Sequence, residues 1–162
     1  MVLDSMDRVL LIEARDPADP AKGQWWEIPG GGIEPGESSA RAAARELFEE
    51  TGIRSAEVGP SVWQHRARYT FAGFRFDQLE HIHVARLAGD PDDAPAYQPG
   101  GLEAMEALAF SGLRWWELDQ LAELVGSGGR VLPPWLPVEL GRYLEDGPPD
   151  SPRYLGELPD LF

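Results

Sequence analysis

Glu46, Glu49 and Glu50 stand at i, i+3 and i+4 of a stretch, residues 40–50, that is rich in Ala, Arg, Glu and Leu. These are good helix formers, and on a helix the three carboxylates share one face within a single turn. Like charges that close repel one another, so an ordinary surface helix gains nothing from them. A hard divalent cation makes the cluster a site, because Mg²⁺ or Mn²⁺ takes oxygen ligands and retains waters, and a substrate's phosphates complete the coordination. Ahead of the cluster, Pro29-Gly30-Gly31-Gly32 lets the backbone come close to a metal or phosphate and leaves a carbonyl such as that of Gly30 as a further ligand. Arg45 can pair with Glu49 one turn on, or reach back to Glu37 and tie the loop to the helix. A solvated face is the ordinary reading of a bare Glu-x-x-Glu-Glu; the glycine loop and the spacing around it reverse that reading.

The element that carries these residues has its own boundaries. Ser38 or Ser39 can cap the first orphan amides, and Gly52 sits where a left-handed C-terminal cap is wanted, with Ile53 as the apolar residue that follows. Ala40, Ala43, Ala44 and Leu47 are available to seat the helix on a sheet. Residues 31–53 match, without a gap, the pattern Gly-x5-Glu-x7-Arg-Glu-aliphatic-x-Glu-Glu-x-Gly-aliphatic. At average residue usage, that pattern arises by chance on the order of 10⁻¹⁰ per starting position. It resembles the signature of the Nudix hydrolases, a family whose members cleave diphosphate linkages with divalent metal ions.

The resemblance implies an α/β/α sandwich with a mixed β-sheet between helices, and a metal site made of the Gly30 carbonyl, Glu46, Glu49 and Glu50. Glu37 and Arg45 then hold loop and helix in register. A fourth carboxylate outside the box often completes catalysis in this family. Here the candidates are Glu103 and Glu106, of which Glu106 is preferred, and the general base is Glu46 or Glu106. The expected cofactor is Mg²⁺, with Mn²⁺ as a substitute, and the expected reaction is hydrolysis of a nucleoside diphosphate derivative. The alternative is a non-catalytic domain that senses a nucleotide metabolite, but such proteins usually lose box glutamates and this chain has all of them.

With 162 residues the chain is long enough for one domain with its own core, and an apolar fraction of 43% is ordinary for a globular protein. The absence of Cys excludes disulfides, thiolate metal sites and Cys nucleophiles, and with them isopentenyl diphosphate isomerase, which shares the fold family and needs a Cys. A net charge of -14 repels nucleic-acid backbones and anionic membranes, which weighs against an RNA-decapping role. The expected partner is a small phosphorylated molecule drawn in by local charge, neither a nucleic-acid duplex nor a membrane. No apolar run approaches membrane-spanning length, so a cytoplasmic location is expected.

Along the chain, residues 8–14 read as a buried strand, 26–28 as a brief strand, and 62–72 with 74–87 as a hairpin turning at Ala72-Gly73. A further strand is expected over 113–118, a short helix over 119–125 and a C-terminal helix over 134–144. Only Met1-Val2-Leu3 stands where the family has a complete first strand, so that strand is short or the natural start lies upstream. Residues 89–101, rich in Asp, Pro and Gly, read as a mobile loop near the site. Residues 1–145 are expected to form the catalytic domain. Residues 146–162 form a Pro-rich tail whose Tyr154, Leu155, Leu158, Leu161 and Phe162 suit docking on the domain or on a second copy in a homodimer.

Outside the box the signals thin. Trp25, Trp26, Phe74, Phe76 and Tyr97 can stack on a base, although the area that aromatics bury favours core packing for each. Arg66, Arg68 and Arg75 are the local positive charges available to a phosphate. His81 and His83 share a strand face and lack a third ligand. Relatives that cleave ADP-ribose carry a Pro about sixteen residues past the box, where this chain has Arg68-Tyr69. Tyr69 fits the Tyr found in relatives acting on dinucleoside polyphosphates, which places that class or a nucleoside triphosphate ahead of ADP-ribose.

Overall fold

Residues 1–87, 101, 102 and 104–158 are described by the computed structural model. The order is β1 (Val2–Leu3), β2 (Val9–Arg15), a 3₁₀ turn (Pro20–Lys22), β3 (Gln24–Glu27), α1 (Ser39–Thr51), β4 (Ala56–Phe71), β5 (Phe74–Leu87), α2 (Ala104–Ala109), β6 (Phe110–Trp116), α3 (Leu118–Gly126), β7 (Val131–Leu132), α4 (Leu136–Asp146) and β8 (Arg153–Glu157). The strands form one mixed sheet in the order β7-β3-β2-β1-β5-β4-β8, with β6 paired to β2 off that path. β2 pairs with β1 through Val9 and Leu10 and with β3 through Ile12–Arg15, so the sheet divides past β1 and curls.

One face of the sheet carries α1 over Val2, Leu10, Leu47, Ile53 and Ala85. The other carries α3 and α4 over a larger core that includes Leu3, Leu11, Trp63, Ile82, Trp116, Leu121, Leu136 and Leu140. This is the α/β/α sandwich with a mixed sheet. Among the described residues, no helix is long and apolar enough to cross a membrane.

Local signals explain the element that matters most. Ser38 Oγ accepts from the Arg41 amide at 3.3 Å, and Gly52 ends α1 at φ 79°, where a side chain would be strained. The helix is turned differently from the alanine stripe expected of it. Ala42, Leu47 and Thr51 are buried while Ala44 is exposed, and the rotation carries Glu46 and Glu50 inside as well. The hairpin turns at Ala72 and Gly73 as expected, both at positive φ, but β4 begins at Ala56, earlier than its pattern suggests. Its register shifts between Val58 and Trp63, around Gly59-Pro60, because Pro has no amide to give the ladder. β8, which has no clear alternation, joins the sheet in parallel with β4, so residues 153–157 of the tail are a strand. The loop expected over 89–101, apart from Gly101, and the candidates Tyr97, Glu103, Leu161 and Phe162 lie outside the described residues.

Candidate active site

Glu46 and Glu50 reach the site from α1, and Glu106 reaches it from α2, the short helix that leads into β6. One carboxylate oxygen from each lies within 4.8 Å of the other two. Glu50 is almost fully buried, and its Oε2 accepts from the Gly30 amide at 2.8 Å, which joins the glycine loop to the helix. Gly31 packs so closely that a β-carbon there would stand 2.5 Å from the Glu46 carboxylate. Gly101 donates its amide to the Glu49 carbonyl at 3.1 Å, which fixes the chain that leads to α2.

Arg45 organises the rim. It donates to Glu37 at 3.1 and 3.3 Å, to Glu46 at 2.8 Å, to Glu49 at 3.0 Å and to the Gly32 carbonyl at 2.7 Å. The two pairings open in the sequence both form, because the planar fork presents several donors at once. Glu49 is held by this guanidinium and lies outside the trio of close carboxylates.

Burial pushes Glu50 well above the ordinary carboxylate range, and the nearby charges of Glu27, Glu106 and Glu46 add to it. Glu46 is raised by burial, against the pull of Arg45. Glu37 is held low, chiefly by its hydrogen bonds from Arg45. Raised, converging carboxylates with a glycine cradle suit a hard divalent cation, whose charge relieves the repulsion and compensates the burial.

Sequence reasoning missed Glu27. It lies on β3 beside Trp25, whose Nε1 donates to it at 2.5 Å, and burial with the charges of Glu80 and Glu106 pushes it up to about 7. The available signal was period two, which sets Trp25 and Glu27 on one face of the strand.

The other sequence candidates scatter. Trp26 packs edge-on against Trp116, 5.0 Å between centroids, at the margin of the larger core. Tyr69 stacks on Phe76 at 5.0 Å and its hydroxyl accepts from Gln78, while proximity to Glu80 and Glu27 adds to burial in raising it. Arg66 and Arg68 lie on the opposite face of the hairpin, paired with Asp77, and Arg68 also binds Glu157 at 2.8 Å. Arg75 is exposed beside the turn. His83 is satisfied by the Gly59 carbonyl and Ser39, and His81 meets Gln64.

A curled mixed sheet between helices, with a carboxylate cluster and a glycine loop packed against α1, defines the α/β/α class to which this fold belongs. The NUDIX domain model matches residues 1–136, and the chain belongs to the Nudix family. The RNA pyrophosphohydrolase of Rhodopseudomonas palustris strain BisB18 is 29% identical over 116 residues, covering 62% of this chain and 60% of that protein. The CMP-5'-(N-acetyl-N-hydroxy-3-aminopropyl)phosphonate hydrolase of Streptomyces rubellomurinus is 33% identical over 134 residues, covering 81% of this chain and 55% of that protein. The chain thus spans 55–60% of the length of these two relatives. Among solved structures, the E. coli ORF135 protein superposes with a TM-score of 0.54 at 25% identity, covering 93% of this chain and 91% of that one. A NUDIX hydrolase from Nitrosomonas europaea shares the fold, with a TM-score of 0.55 at 21% identity over 92% and 90% of the two chains.

Proposed function

We propose that this chain hydrolyses a diphosphate linkage in a nucleoside diphosphate derivative, releasing a nucleoside monophosphate and the phosphorylated remainder. The observation that carries this reading is the convergence of Glu46, Glu50 and Glu106 within 4.8 Å from two separate helices. Those carboxylates, the Gly30 carbonyl and Glu49 would hold Mg²⁺, or Mn²⁺ in its place. When bound, such a cation neutralises phosphoryl oxygens and makes a bound water more acidic.

The chain's own residues do the rest. Glu106, which reaches the trio from a second helix, accepts the proton of the attacking water. As water adds to phosphorus, the bridging P–O bond breaks and the phosphorylated remainder leaves. Arg45 and Glu37 keep the glycine loop at its distance from α1. Tyr69 and Phe76 offer an aromatic surface to the group beyond the diphosphate, and Arg75 is the nearest of the hairpin arginines to being available for phosphate. Residues 1–145 are the hydrolase unit, with the tail docked through β8.

Relatives named as RNA pyrophosphohydrolases favour RNA as a second substrate class, against which the charge of -14 argues. The test is a phosphate-release screen with Mg²⁺ and Mn²⁺ over nucleoside triphosphates, ADP-ribose, nucleotide sugars, diadenosine polyphosphates and 5′-triphosphorylated RNA. A metal-dependent hit that disappears in Glu50→Gln supports the hydrolase. Full activity in Glu50→Gln defeats the metal assignment. Nucleotide binding without turnover on any substrate promotes the sensor.

A further inference from the structure

β3 and the β4–β5 arm face each other where the sheet divides, yet neither is the other's sheet neighbour: β3 lies between β7 and β2, and β5 between β1 and β4. Each wall carries a carboxylate, Glu27 on β3 and Glu80 on β5, and the charge of Glu80 adds to the burial that raises Glu27. Neither wall offers the other a backbone ladder, so something else must hold them together.

Asp16 does so. It follows β2 directly, is 2% exposed, and accepts from the Ala18 amide at 2.9 Å and from the Ala72 amide, in the hairpin turn, at 3.0 Å. Its second oxygen accepts from Lys22 Nζ at 2.7 Å, and the same ammonium donates to the Thr70 carbonyl. One buried carboxylate therefore ties the β2–β3 connection to the tip of the arm across 56 residues of sequence. Burying a charge is costly unless it is fully paired, and here it is paired on both oxygens.

We propose that Asp16 is a positioning residue: through Ala72 and Lys22 it sets the gap between β3 and the hairpin arm, which receives the group attached to the substrate's diphosphate. The ligand in this statement rests on the hydrolase reading above; the tie itself does not. Asp16 bonds to Ala18, Lys22 and Ala72 and to none of Glu46, Glu50 and Glu106, so losing the tie weakens binding of the distal group and spares the chemical step. Such a loss appears in KM and leaves kcat at saturation unchanged.

The experiment compares the wild type with Asp16→Ala, Asp16→Asn and Lys22→Met. It reads amide hydrogen exchange in peptides spanning 68–76 and in α1, together with steady-state kinetics on the substrate found by the screen. Asp16→Ala should raise exchange at the arm tip roughly tenfold with α1 unchanged, and raise KM roughly tenfold with kcat within about twofold. Asp16→Asn should recover part of both effects, since its amide oxygen still accepts from Ala72. Lys22→Met, which leaves Asp16 in place, reads the tie even when Asp16→Ala does not fold. Unchanged exchange at the tip, a uniform rise throughout the molecule, or a fall in kcat at constant KM each overturns the proposal. A wild type that turns over nothing defeats the hydrolase reading, and exchange at the tip still decides the tie.

Discussion

The α-carbon of Gly31 lies so near Glu46 that any side chain at position 31 would meet the carboxylate carbon at 2.5 Å. The carboxylate is not free to step aside, because Arg45 grips its Oε1 at 2.8 Å. The glycine loop is therefore built to the shape of an acidic group on the helix, whereas a β-carbon at Gly32 next to it would meet nothing within 4 Å.

Gly31→Ala should cut kcat roughly 100-fold and weaken metal binding, since a shift of about 1 Å in a catalytic group costs that much. Gly32→Ala, placed in open space, should stay near wild type. Parallel kinetics and Mn²⁺ titration of the two variants measure the difference. Equal activity in both would show that Glu46 relaxes without consequence.

Arg45→Lys tests the hub. A point charge on a flexible stem cannot serve Glu37, Glu46, Glu49 and the Gly32 carbonyl together. The expected result is a fall in kcat of roughly 10- to 100-fold with the circular dichroism spectrum retained. Wild-type activity in Arg45→Lys would reduce the fork to a surface ion pair.

Glu106→Gln should lower kcat by roughly 100-fold and reduce Mg²⁺ affinity, as befits both a ligand and a proton acceptor. Glu103→Gln should remain close to wild type. A reversed ranking of the two variants would move the catalytic carboxylate off α2.

Glu27 predicts an unusual pH profile for the metal-free protein. Its folded pKa is raised from 4.5 to about 7, mainly by burial, so the native state holds a proton that the unfolded chain has released. Between those values the folded state binds more protons, and stability falls as pH rises through the window. In EDTA the loss should be on the order of 2 kcal/mol from Glu27, read by urea unfolding at several pH values. Glu27→Gln, which cannot ionise, should flatten that slope. Asp77, drawn down to about 2 chiefly by its hydrogen bond from Arg66, acts in a separate window: its stabilisation is present above about 3.8 and is lost in stronger acid.

Local chemistry made α1 legible. Ser38, Gly52 and the i, i+3, i+4 glutamates each carry their meaning within one or two turns, so α1, its caps and the shared acidic face can be read without any long-range contact. The hairpin at Ala72-Gly73 is legible for the same reason. The rotation of α1 about its axis is not local. Which alanines meet the sheet depends on what else must fit beneath the helix, and two buried glutamates outweigh the alanine stripe.

Juxtapositions across long separations are decided only when the sheet curls. Glu106 meets Glu46 and Glu50 from another helix, Glu27 faces Glu80 across an unpaired seam, and Asp16 grips a turn that lies 56 residues away. β8 belongs with these, since a strand that pairs at an edge draws its partner from the fold and shows no strong alternation of its own. The box residues thus announce the family and the proposed metal site through their order along the chain. The walls that would select its substrate arise from packing, in which side chains far apart in sequence share one buried space.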